Sequence, residues 1–151
     1  MFKFRSGPSR KDDKNQRGAA AVEFALILPL LLFMLLGVID FGVFFGQNIS
    51  LQSAVREGAR QGVLQGDVLA NTSQARGLLD SAKLQIKFVV DTSTGAPGSL
   101  VVCAQYPRSS MTGFFSWALN GTSSAKSVMR MESTAIVASG SKNWGTGSCT
   151  L

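Results

Sequence analysis

RGAAAVEFALILPLLLFMLLGVIDFGVFFG, from Arg17 to Gly46, is the stretch that decides the fold. Phe24 to Ile39 are sixteen consecutive residues without a charge, and Asp40 is the one charge before the apolar character resumes through Phe45. As a helix, residues 19–45 would be about 40 Å long, which exceeds the roughly 30 Å of a bilayer's hydrocarbon core. The sequence therefore predicts a transmembrane helix over residues 19–46.

The residues before this helix indicate its direction. Residues 1–18 carry six basic and two acidic side chains, which is most of the net charge of +6. Because lysine and arginine are enriched on cytoplasmic flanks, residues 1–18 are predicted to be a basic cytoplasmic leader and the remainder to be extracytoplasmic. A signal peptide cleaved after the apolar run is the alternative, but Gly42 to Gln47 offers no small-x-small cleavage site.

The composition argues against catalysis and against metal or cofactor binding. The chain has 151 residues, no histidine and two cysteines, so the usual ligands of zinc, haem or non-haem iron are lacking, as is the commonest general base. Nucleic acid is not an expected partner, because the basic residues directly precede an apolar run. Cys103 and Cys149 both fall in the predicted exported part, where a disulfide is favoured over two free thiols.

The start of the apolar helix contains one carboxylate, Glu23. Cleavage between Gly18 and Ala19 would make Glu23 the fifth residue of the new chain. A carboxylate inside a membrane costs about 2.5 kcal/mol or more, so a partner is expected, and the new α-amine of Ala19 could supply it within one chain or between two. The alternative is that Glu23 lies at the water interface and favours the helix dipole.

Gly18, Glu23 and Phe24, the run from Leu26 to Leu31 and the later Ala54–Arg60 segment together resemble the TadE family of tight-adherence (Flp, type IVb-like) pilus proteins. The resemblance implies a pilin-like minor subunit or pseudopilin, cut after Gly18 by a membrane prepilin peptidase. Its implied partners are the membrane, that peptidase, other pilin-like subunits and the pilus assembly platform. The implied location is the inner (cytoplasmic) membrane, with incorporation into a surface pilus as a further expectation. The alternative is an unprocessed, single-pass accessory or adhesin protein of the cell envelope.

Two further features of the helix concern packing. Pro29 cannot donate a backbone hydrogen bond to the carbonyl of Ala25, which predicts a bend. Small residues recur at every fourth position, which indicates close approach of other elements. We expect Gly42, Gly46 and Ser50 to face a neighbouring helix, and positions 54–62 of an amphipathic extension (47–66) to face the chain's own sheet. The full row is Gly42, Gly46, Ser50, Ala54, Gly58, Gly62 and Gly66.

Residues 67–151 are predicted to form the exported domain. Thr72 or Ser73 could cap a short helix, after which alternating apolar residues predict a hairpin with strands over 84–91 and 100–106. A third strand is expected over 128–138. The intervening loop carries Phe114, Phe115 and Trp117, which we expect in the core, with a partner patch as the alternative. The predicted class is α+β and pilin-like, with a long helix packed on an antiparallel sheet of about three strands.

Overall fold

A computed structural model of the chain describes residues 12–93, 98–132, 138–145 and 147–149. The chain divides into two units, Met1–Val38 and Ile39–Leu151. The long helix α1 (Asp12–Val63) supplies the described part of the first unit and the first element of the second.

In the first unit, the described helix presents its apolar side chains outward. In water such a surface would be strongly unfavourable, since burial of apolar area is the main drive for folding. The apolar side chains that are about half exposed or more include Val22, Phe24, Leu26, Ile27, Leu30, Leu31, Leu32, Met34, Leu35 and Val38.

The second unit combines the C-terminal half of α1 with two short helices and a sheet. The short helices are α2 (Val68–Gln74) and α3 (Ser116–Leu119). The strands are β1 (Gln85–Asp91), β2 (Ser99–Arg108), β3 (Gly121–Arg130) and β4 (Gly140–Lys142). They lie in the order β3-β2-β1-β4, and each neighbouring pair is antiparallel. The predicted α+β class, with the long helix packed on an antiparallel sheet, is confirmed.

The main core lies between α1 and one face of the sheet. Successive side chains of a strand point to opposite faces, so alternate residues of β1 and β2 meet the helix. A second, smaller cluster on the other face contains Val101, Cys103 and Cys149. The main core includes Leu51, Val55 and Ala59 of α1 with Ile86, Phe88, Leu100, Val102, Ala104 and Tyr106 of the sheet.

Helix α1 ends in a Schellman-type turn. Gln65 has a left-handed backbone with φ 63°, Gly66 N–H donates to the carbonyl of Gln61 at 2.8 Å, and Gln65 N–H donates to that of Gly62 at 3.0 Å. This turn closes the helix at Val63, so the row of small residues on α1 ends at Gly62 and Gly66 lies beyond it.

The described residues form four strands, not about three. The fourth strand, β4, is a three-residue edge strand whose sequence shows no alternation of apolar and polar residues. It begins at Gly140, where an added Cβ would lie 2.7 Å from the Phe88 ring. The third strand begins at Gly121, earlier than expected, since it pairs along the whole of β2 to Arg108. Residues 133–137 of the predicted strand lie outside the described residues.

The cap of the second helix also differs from the prediction. Asp67 is the N-cap, and its Oδ1 accepts from Ala70 N–H at 3.0 Å. Thr72 lies inside α2, fully buried, and its hydroxyl donates to the carbonyl of Val68 at 2.6 Å. The prediction was wrong because α2 already begins at Val68. Thr72 therefore lies inside the helix, where it packs against Gly58 of α1.

Candidate membrane anchor and assembly interface

Helix α1 is the one helix in the described part of the chain that is long and apolar enough to cross a membrane. Core helices of soluble proteins can also be this long and this apolar, but they are mostly buried. Here none of the side chains in the apolar segment 19–39 is buried. Its exposed surface matches a hydrocarbon solvent, which indicates a membrane anchor.

The predicted processing junction lies inside α1. Gly18, Ala19 and Glu23 are all helical and exposed, and an added Cβ at Gly18 would meet nothing within 4 Å. Ala19 and Glu23 are four residues apart, so they share one helical face. The junction residues are therefore exposed, and the bond between Gly18 and Ala19 lies within a helix.

Pro29 also lies inside α1, which is continuous from Asp12 to Val63. Its missing N–H leaves the carbonyl of Ala25 without its usual partner, and its side chain is exposed with its neighbours. The residue therefore marks a weakened point in an otherwise regular helix.

The small residues at the start of the second unit have different surroundings. Gly42 is open, with nothing within 4 Å of an added Cβ. Gly46 is not open, because such an atom would lie 2.9 Å from Leu78 Cδ1. Ser50 Oγ accepts from Leu78 N–H at 3.3 Å and lies under Gly77, which has a positive φ of 56°. Thus the segment around Leu78 covers Gly46 and Ser50 from within the same chain.

The later small residues of α1 permit close packing inside the domain. An added Cβ at Gly58 would overlap the Thr72 side chain, and one at Gly62 would overlap Leu100 and Val68. Ala54 and Ala59 are fully buried. The sequence predicted that positions 54–62 face the chain's own sheet; Gly62 does meet Leu100 of β2, but Gly58 faces α2 instead.

A buried carboxylate lies at the start of the second unit. In the sequence it stands out only as a charge that interrupts the apolar segment. Asp40 is 2% exposed. Its Oδ2 accepts from the hydroxyls of Ser110 and Thr112, each at 2.7 Å, and its Oδ1 accepts from the N–H groups of Met111 at 3.1 Å and Thr112 at 3.0 Å. Four donors from one loop therefore satisfy the carboxylate. The sequence signal for this site is a lone charge at the end of an apolar run, because a carboxylate in such a place requires polar partners.

The aromatic loop residues are not core residues as a group. Trp117 is 84% exposed and Phe114 is 49% exposed, whereas Phe115 is half-buried with its ring centroid 5.9 Å from that of Phe41. The core expectation was wrong for Trp117 and Phe114, because Leu119 is the residue of α3 that turns inward.

The two cysteines form the predicted disulfide. Cys103 in β2 is bonded to Cys149, and the sequence separation is 46 residues. Trp144 packs against this second cluster, and its Nε1–H donates to the carbonyl of Gly147 at 3.0 Å. The bridge therefore holds the C-terminal segment on the sheet face opposite α1. Within the described ranges, no group of three or more histidine, cysteine or acidic side chains is placed to hold a metal ion.

The fold and these features define a membrane-anchored protein, in which one apolar helix precedes a disulfide-bonded α+β domain. Residues 18–60 match the family model described as TadE-like protein, which confirms the resemblance over α1. The match is a likeness of the apolar helix and its extension, and it covers less than a third of the chain. It begins at Gly18 and ends before α2 and the sheet. No curated protein and no solved structure matches the chain.

Proposed function

We propose that this protein is a minor, pilin-like subunit of a tight-adherence (Flp) pilus, cut by a prepilin peptidase after Gly18. The observation that carries the proposal is the coincidence of three features at one place. The family match begins at Gly18, the exposed apolar helix follows directly, and Glu23 stands five residues into the shortened chain. The leader (1–18) remains in the cytoplasm, and the domain faces the outside.

Processing creates the group that Glu23 needs. Hydrolysis of the Gly18–Ala19 bond leaves a free α-amine on Ala19, which is protonated at neutral pH. The Glu23 carboxylate can neutralise that amine one helical turn away, or the amine of a neighbouring subunit. Since either ion lowers the cost of the other in a low-dielectric membrane, a pair formed between two subunits favours lateral association of their helices.

Helix α1 also offers a contact surface for a second subunit beyond the apolar segment. Gly42, Phe45 and Ile49 lie on one face, since their spacing follows the helical repeat, and both large side chains are mostly exposed. Gly42 allows a close approach, as in small-xxx-small packing. We therefore expect the helix of a neighbouring subunit to pack on this face. Gly46 and Ser50 are instead covered by the segment around Leu78 of the same chain. Bending at Pro29 would let subunits adjust within an assembly.

The test is the mass of the N-terminus in membranes from cells with and without the prepilin peptidase. We expect a chain beginning at Ala19 only when the peptidase is present. In the same cells, a Glu23→Gln variant should still be cleaved but should fail to enter the pilus fraction. An intact Gly18–Ala19 bond in the presence of the peptidase would refute the proposal and favour the unprocessed accessory or adhesin alternative.

A further inference from the structure

The loop from Ser109 to Leu119, with α3 at its end, is an ordered apolar projection. Asn120 Oδ1 accepts from Ser110 N–H at 3.1 Å, and Ser110 Oγ accepts from Gly113 N–H at 2.9 Å. Buried Leu119 fixes the end of α3. Outward, the loop presents Met111 (74% exposed), Phe114 and Trp117, and residues 109–125 contain no charged side chain. Large exposed apolar groups on a well-bonded loop indicate a contact surface.

The loop approaches the part of α1 closest to the apolar segment. Arg108, where β2 ends, places its guanidinium 4.9 Å from the Phe44 ring centroid. Two residues later in the chain, Ser110 contacts Asp40, which lies one helical turn before Phe44 on α1. Farther along the loop, the Phe115 ring contacts that of Phe41. The chain from Arg108 onward therefore descends along α1 toward the end of the apolar run.

The length of the apolar run places this contact at a membrane boundary. A span that begins at Ala19 reaches the roughly 30 Å of a bilayer's hydrocarbon core after about 31 Å of helix, at residue 39, so that the apolar residues from Phe41 to Phe45 lie beyond the core. Asp40 then lies at the outer edge of the hydrocarbon. Its four hydrogen bonds let a carboxylate remain there, and they hold the loop at the same level.

We infer that the Ser109–Leu119 loop seats on the outer lipid surface beside the point where α1 leaves the membrane, with Met111, Phe114 and Trp117 among the headgroups and upper acyl chains. Tryptophan is enriched at this depth because its ring is apolar and its N–H is polar. The Arg108 guanidinium, one turn farther out, lies at the level of the lipid phosphates. The inference rests on the membrane anchor and is independent of processing or pilus assembly.

The two tryptophans of the chain provide a matched test. Trp144→Phe leaves Trp117 as the only tryptophan, and Trp117→Phe leaves Trp144, which lies in the cluster on the sheet face opposite the main core. The unprocessed full-length variants are placed in lipid nanodiscs of phosphatidylcholine and phosphatidylglycerol, with and without lipids brominated near the top of the acyl chain. Aqueous iodide serves as the second quencher.

We expect brominated lipid to quench Trp117 several-fold more than Trp144, and iodide to quench Trp117 weakly. Trp117 quenched by iodide and not by brominated lipid would overturn the inference. Protection of Trp117 from both quenchers would also overturn it, because a protein surface would then cover the loop. A chain that does not co-elute with the nanodiscs would overturn the inference together with the anchor, whereas failed processing in cells would leave it intact.

Discussion

At the scale of single residues, the environment of Asp40 departs from what its sequence context suggests. An acidic residue next to a run of sixteen uncharged residues ends up buried, with four donors from a loop about 70 residues away. Hydrogen bonds to a charged group contribute more than neutral ones, and a donor left without its acceptor is costly. The carboxylate thus joins the start of the second unit to the Ser109–Leu119 loop.

Asp40→Ala should release this loop without unfolding the sheet. The N–H groups of Met111 and Thr112 lose their acceptor, so we expect their hydrogen exchange to accelerate by about tenfold or more, while exchange in β1 and β2 changes little. Hydrogen-exchange mass spectrometry of peptides covering 109–119 measures this. Glu57→Gln is the control, since Glu57 is on the same helix and its carboxylate bonds along that helix, to Gln61 at 2.8 Å and Arg60 at 3.7 Å. Equal exchange in the two variants would contradict the role of Asp40.

At the scale of elements, sequence periodicity predicted what local patterns can encode. The hairpin of β1 and β2 followed from alternating apolar residues, and the inward face of α1 at positions 54–62 followed from helical spacing. The partners of individual positions could not be predicted. Leu78 covers Gly46, and Phe88 lies over Gly140. These residues are far apart in the sequence, and local periodicity carries no information about such contacts. Similarly, the edge strand β4 depends on pairing with β1 and has no apolar alternation of its own.

Two glycines of α1 provide an internal comparison of close packing. Gly58→Ala should lower the free energy of unfolding by about 1–3 kcal/mol, since the new methyl overlaps Thr72, even though alanine favours helix by about 1 kcal/mol. Gly42→Ala should be neutral or should stabilise the helix by up to about 1 kcal/mol, because its Cβ meets nothing within 4 Å. Denaturant unfolding of the domain in detergent measures both. A Gly58→Ala variant as stable as Gly42→Ala would show that Thr72 does not pack as described.

At the scale of the whole molecule, composition predicted two parts suited to different solvents. A segment suited to hydrocarbon precedes a segment with cysteines suited to an oxidising compartment, and the disulfide is formed. The exposed loop aromatics show what composition could not decide. Phe114 and Trp117 look like core residues of a small domain, and only their place beside the end of the apolar run gives them another role.

Loss of the disulfide should loosen the C-terminal segment first. Replacing Cys103 and Cys149 by alanine removes a cross-link over a separation of 46 residues, which should cost about 4 kcal/mol in the chain-entropy model. We expect a lower Tm and faster amide exchange at Gly140–Lys142, because β4 pairs only with β1 at the sheet edge. Calorimetry and hydrogen exchange measure these effects. An unchanged Tm would contradict a stabilising role for the bridge.

The central claim is that α1 spans the membrane with its leader inside and its domain outside. Because the only two cysteines are bonded to each other, an introduced cysteine is the sole free thiol. Ser9→Cys marks the leader and Gln74→Cys marks an exposed position in α2, and both are expressed in cells lacking the prepilin peptidase so that the leader is retained. A membrane-impermeant maleimide applied to spheroplasts should label Gln74→Cys at once and Ser9→Cys only after permeabilisation. Labelling of Ser9→Cys from outside, or protection of Gln74→Cys until lysis, would contradict the account.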